Sequence, residues 1–297
     1  MPAAAELKHR NVVKRVWLAA IVVGVVGGLF GALMMFGWMI DETHFDRPDA
    51  GFNRLITQIE GAPGVNIDAK ERWVEAPTFS DPRSWIQLTV DEKRLPGLLS
   101  IACASDYGDP VNWSLRVATD TGSVVSLYTD AASDDRVENA PCPDFGFDAA
   151  EVVDEAGRSL PGLDLQAAIW DNGRFALVAL EDAPGTLSEM LPLVGRAEAM
   201  RDAAGLDRRH SVEINAATLG VVIRPEEHDL YLALLSELAE EHGVTSFWSD
   251  SGGTPIDGVA KVQVAAPDNE HAAIENAIRT SGLHIADFPV RFIPTEP

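Results

Sequence analysis

Apolar and polar positions alternate along this chain with two different periods, and the switches between them mark out a repeating series of elements. Stretches with apolar residues three and four apart, the spacing of one helix face, begin near Phe52, Glu92, Asp148, Thr186, Glu226 and Asn269. Each but the last is followed by two runs with strand character. The clearest strand pairs are residues 112–118 with 123–128, and 163–170 with 174–180. They turn at Asp120-Thr121-Gly122 and Asp171-Asn172-Gly173, where glycine supplies the positive φ of a tight hairpin.

The strongest helix signal covers residues 226–241. Pro225 pre-sets the first turn, Glu226, Glu227 and Asp229 complement the positive end of the dipole, and Gly243 closes the element. Leu230, Leu234 and Leu238, with Tyr231 and Leu235, form its apolar stripe. Thr186 and Glu189 have the spacing of a capping box, while Pro192 predicts a kink or split soon after. A last helix over 269–281 stops at Gly282, and residues 288–293 form a final strand. Two copies of a helix-strand-strand unit read together give strand-helix-strand-strand-helix-strand, the ferredoxin-like order. The expectation is therefore an α+β protein with two such units, residues 41–130 and 161–297, joined by an acidic linker or loop over 131–160.

Ahead of these elements lies a third pattern, an apolar run over residues 16–40 with no charge. Twenty-five residues are enough for a helix to cross a bilayer. Trp17 and Trp38 flank the run at the depths of the two headgroup layers. The tail 1–15 carries Lys8, Arg10, Lys14 and Arg15 against Glu6, and Asp41, Glu42 and Asp46 follow the run. That bias predicts a single-pass signal-anchor in the cell membrane, with a cytoplasmic N-terminus and an extracytoplasmic remainder. The run is longer than the apolar region of a cleaved signal peptide and ends without an A-x-A motif. Gly24 and Gly28, and Gly27 and Gly31, are spaced four apart, which would let two such helices pack closely as a homodimer.

Composition sharpens this division. The 297 residues contain 46 acids and 23 bases, a formal charge of −23. Without residues 1–40 the remainder has 19 bases and 45 acids, a net −26. A chain this acidic offers no basic surface for counterion release, so nucleic acid is not expected as a partner. The densest acidic stretch, residues 120–155, lacks the spacing of a calcium loop and reads as a solvated loop. The only cysteines, Cys103 and Cys142, are predicted to form one disulfide, with Cys142 in the Pro141-Cys142-Pro143 segment.

Recognisable catalytic chemistry is sparse. The segment Ser249-Asp250-Ser251-Gly252-Gly253-Thr254-Pro255 resembles, in outline, the nucleophile segment of trypsin-like serine proteases. That resemblance implies a serine activated by an upstream His and Asp beside an oxyanion hole. The segment departs from the pattern at Ser249 and Thr254, no Ala-Ala-His-Cys precedes it, and the alternating helices do not suit two β-barrels. A Gly-rich hairpin loop between strands 245–248 and 259–264 accounts for the same residues. His228 and His242 bracket one helix too far apart to share a metal, and His210, His271 and His284 have no partner at ligand spacing. No catalytic, metal-binding or cofactor-binding residue is therefore predicted. The expected function is a non-enzymatic envelope protein, attached to the lipid bilayer through residues 16–40, whose acidic region binds or scaffolds another envelope component. The alternatives are a hydrolase with a site near Ser251 and His210, or an accessory subunit of a membrane complex.

Overall fold

The computed structural model describes residues 44–75, 82–129, 141–180, 185–249 and 259–294. Within them a helix-strand-strand order recurs: β1 (His44–Asp46), α1 (Ala50–Glu60), β2 (Val65–Glu75), β3 (Arg83–Asp91), α2 (Leu95–Cys103), β4 (Val111–Ala118) and β5 (Val124–Tyr128). There follow α3 (Ala149–Ser159), β6 (Asp164–Ile169), β7 (Phe175–Ala179), α4 (Leu187–Ala203), β8 (Val212–Asn215) and β9 (Leu219–Ile223). The series ends with α5 (His228–Glu241), β10 (Ser246–Ser249), β11 (Val262–Ala265), α6 (His271–Thr280) and β12 (Val290–Ile293).

Local chemistry explains the helices. Asp49 caps α1 by accepting the Phe52 N–H at 2.9 Å, and Phe52, Leu55, Ile56 and Ile59 then fall on one buried face. Asp148 caps α3 in the same way, accepting from Glu151 at 3.2 Å. In α4, Glu189 reaches back to the Thr186 N–H at 2.7 Å, completing the predicted capping box. Pro192 lies inside α4, which runs as one element through it and is not split. Gly243 and Gly282 adopt positive φ after α5 and α6, as the sequence predicts for helix ends. Gly122 and Gly173 do the same in the β4–β5 and β6–β7 hairpins.

All twelve strands belong to one mixed sheet, and their order in the sheet is their order in the chain. The chain divides into two compact units. Of the described residues, 44–48, 72–75 and 82 belong to one, in which β1 pairs antiparallel with the end of β2. The described residues within 49–71 and 83–294 belong to the other. In this larger unit, strands joined by a hairpin are antiparallel and strands joined by a helix are parallel, from β3 through β12.

This topology corrects the expected fold class. The protein is α/β, and its described residues form a twelve-stranded mixed sheet and six helices, where two ferredoxin-like α+β units were expected. A ferredoxin-like unit inserts one strand between two others, whereas here each helix-strand-strand unit adds its two strands at the growing edge. Residues 149–159, inside the stretch expected to be an acidic linker, form α3.

The membrane assignment is also corrected. Among the described residues no helix is long and apolar enough to cross a membrane, so a single-pass anchor and its cell-membrane localisation are not supported. The longest helix, α4, has 17 residues and includes charged positions, because its apolar residues form only the stripe that meets the sheet. The run 16–40 and its glycines Gly24, Gly27, Gly28 and Gly31 lie outside the described residues.

One face of the sheet meets the helices. Leu88, Leu115, Leu127, Ala167, Leu177, Ile214 and Val221 stand in register across β3 to β9 and are fully buried. They share a single hydrophobic cluster with the buried faces of all six helices. Cys103, the last residue of α2, is disulfide-bonded to Cys142 with their Cα atoms 4.1 Å apart, as expected from the sequence. Beside this bond the buried Trp113 indole donates to the Pro141 carbonyl at 3.1 Å, so the 141–143 segment is held to β4 by a second link.

Candidate binding face

Strand side chains alternate between two faces, so the residues between the core positions point away from the helix layer. The strand register aligns them. Thr89 lies beside Arg116, Arg116 beside Ser126, Ser126 beside Gln166, Gln166 beside Val178, and Val178 beside Asn215. The row continues through Gly220, Trp248 and Gln263 to Arg291. Ten strands thus contribute one residue each, and seven of the ten side chains are hydrophilic.

The charge and hydrogen bonding of this row set it apart. It has two arginines and no carboxylate, in a chain with twice as many acids as bases. The side chains of Arg116, Gln166, Trp248, Gln263 and Arg291 have no hydrogen-bond or ion-pair partner among the described residues. Arg116 and Arg291 are exposed, and Gln166, Trp248 and Gln263 are half-buried. Ser126 and Gly220 are buried between them. At one end the Thr89 hydroxyl is already committed, donating to Asp68 on β2 at 2.9 Å. Asn215 donates to Glu213 at 3.0 Å, and Arg174 approaches the other oxygen of the same carboxylate at 3.1 Å. Glu213 is buried beside Ala176 and Val222, so this pairing compensates a charge withdrawn from water. An amide offers both donors and acceptors and a guanidinium offers a fork of donors, so the row as a whole can bind polar oxygen atoms over a long distance.

The residues singled out from the sequence are scattered. His210 is in the turn before β8, with its ring against the Asp207 carbonyl at 3.1 Å, and Ser251 lies outside the described residues. His228 contacts the Val194 carbonyl at 3.0 Å and links α5 to α4. His242 faces Glu270 at 2.8 Å, and the His271 ring stacks on Phe292 with centroids 3.6 Å apart. Among the described residues no group of three or more His, Cys, Asp or Glu is placed to hold a metal ion.

A second constellation unites residues that sequence reasoning kept apart. Glu227, at the start of α5, accepts from both the backbone N–H and the ring Nδ1 of His284, at 2.8 and 2.7 Å. The His284 ring meets the edges of Tyr231 and Phe288, and the Tyr231 hydroxyl lies 3.5 Å from the Ser249 hydroxyl. A carboxylate that orients an imidazole near a serine has the outline of a hydrolytic triad. However, Tyr231 is 0% and Ser249 2% exposed, so the hydroxyls are closed off and the cluster acts as a brace. Its strain is next door: Glu226 is the one non-glycine residue with positive φ among those described, at 70°.

The clefts on the helix side are less selective than the row. One of about 390 Å³ brings Arg201, Arg208 and Arg209 together with Glu198, Asp202 and Glu226, so its charges balance. The Arg201 side chain is only 5% exposed and is already engaged by Asp202 at 3.0 Å.

Period-two alternation announced that the strands have a polar side. It did not reveal the row, because alternation within a strand says nothing about which residue of the next strand lies opposite. No protein-family model, curated protein or solved structure matches this chain.

Proposed function

We propose that this protein is a non-enzymatic binding or scaffolding protein whose ligand lies across the strands on the face opposite the helices. The supporting observation is the acid-free row in which the side chains of Arg116, Gln166, Trp248, Gln263 and Arg291 all lack partners among the described residues. None of these side chains has a polar atom buried without a partner, so their donors and acceptors face outward and can be taken up by a ligand. A rigid sheet fixes these groups in advance, so little ordering entropy is lost on binding.

Photo-crosslinking tests this reading. A crosslinking residue placed at Gln166 or Gln263 should capture far more material in cells than one at Glu240 on the helix layer. Equal capture at the three positions would refute the binding face.

A further inference from the structure

We infer that the ligand of this row is an acidic polysaccharide, an inference that rests on the binding-face reading above. Neighbouring strands are about 4.8 Å apart, so the eight steps from Arg116 on β4 to Arg291 on β12 span about 38 Å, measured along the twisted sheet. Only an extended polymer can occupy both ends at once.

The chemistry of the row narrows the class of polymer. Gln166, Asn215 and Gln263 each offer both a donor and an acceptor, which matches hydroxyl groups that themselves do both. A peptide bound to a sheet commonly pairs with an exposed strand edge through its backbone, but these groups stand on the face. Trp248 is half-buried in the row between Gly220, which has no side chain, and Gln263, and its indole supplies an aromatic surface against which a sugar ring can stack. Arg116 and Arg291 supply unpaired positive charge near the two ends, complementary to carboxylate groups on the polymer. The remaining surface, with its excess of acids, repels a polyanion and directs it to this face.

The test uses the full chain and three probes of matched length: oligogalacturonate, neutral dextran and poly-L-glutamate. Oligogalacturonate should bind, and its affinity should fall at least tenfold in the Arg116→Gln/Arg291→Gln variant, with a weaker dependence on salt. Trp248→Ala should also weaken it about tenfold, and thermal unfolding of each variant should match the parent. Dextran should bind more weakly than oligogalacturonate and lose affinity in Trp248→Ala alone. Poly-L-glutamate binding as tightly as oligogalacturonate would overturn the polysaccharide assignment. So would the absence of binding by any probe, and crosslinking at Gln166 and Gln263 would then show whether the binding face itself survives.

Discussion

Glu227 grips His284 through two hydrogen bonds from residues 57 positions apart, one to the backbone N–H at 2.8 Å and one to the ring at 2.7 Å. The His284 side chain is 8% exposed and that of Glu227 15%, so water cannot easily replace either bond. The clamp fastens the segment before β12 to the N-cap of α5, two places that the backbone hydrogen bonds of the sheet do not join.

Glu227→Ala should therefore destabilise the protein by about 1–3 kcal/mol, since both donors on His284 lose their acceptor. Urea unfolding measures this directly. An unchanged midpoint would show that the clamp contributes nothing to stability.

Glu226→Gly should have the opposite sign. A left-handed backbone conformation costs a side-chain-bearing residue about 1–2 kcal/mol, and glycine adopts it freely. The partly compensating gain in unfolded-state entropy leaves a net stabilisation of at most about 1 kcal/mol, visible as a small rise in Tm. A fall in Tm would mean that the Glu226 side chain makes a contact worth more than the strain.

Replacing both cysteines by serine should cost about 4 kcal/mol in the chain-entropy account, given a bridge between positions 39 apart. Trp113→Phe, which leaves the Pro141 carbonyl without its donor, should cost about 1–3 kcal/mol. Because both links hold the same segment, the triple variant should lose less than the sum of the two effects, as a double-mutant cycle would show.

The pH response of the turn before β8 has a definite direction. The Arg209 guanidinium, hydrogen-bonded to Asp207, holds that carboxyl at about 2, below its ordinary value of 3.8. A depressed folded-state value means that the interaction stabilises the turn fully above the ordinary value and is lost as pH falls from about 4 towards 2. NMR titration of Asp207 should give a midpoint near 2 that rises towards 3.8 in Arg209→Ala. Identical midpoints in the two proteins would refute the pairing.

Much of this architecture was legible in the sequence, and the reasons are local. All six helices fall where apolar stripes begin, because caps such as Asp148 and the Thr186–Glu189 pair act within a single turn. The hairpin at Asp171-Asn172-Gly173 was legible for the same reason. The sheet order was not. Whether β6 would extend the sheet beside β5 or enter elsewhere depends on pairs such as Leu127 with Ala167, and either arrangement has the same alternation.

The start of α5 shows the same limit on a smaller scale. Pro225 and the acids after it predict a helix from 226, yet α5 begins at His228, with Pro225 and Glu226 in a turn. The distant His284 engages Glu227 at that turn, and no local pattern encodes such a partner. The candidate face was half legible: the polar positions could be read strand by strand, but their alignment into a row could not.

Because spatial neighbours in the sheet are also neighbours along the chain, assembly can proceed vectorially. As a nascent chain emerges, each new helix and hairpin can dock on the edge left by the last, with no need to wait for a distant strand. The growing edge of every intermediate is its newest strand, and the last of these, β12, is only four residues long and carries Arg291, a modest template for the unwanted addition of another chain.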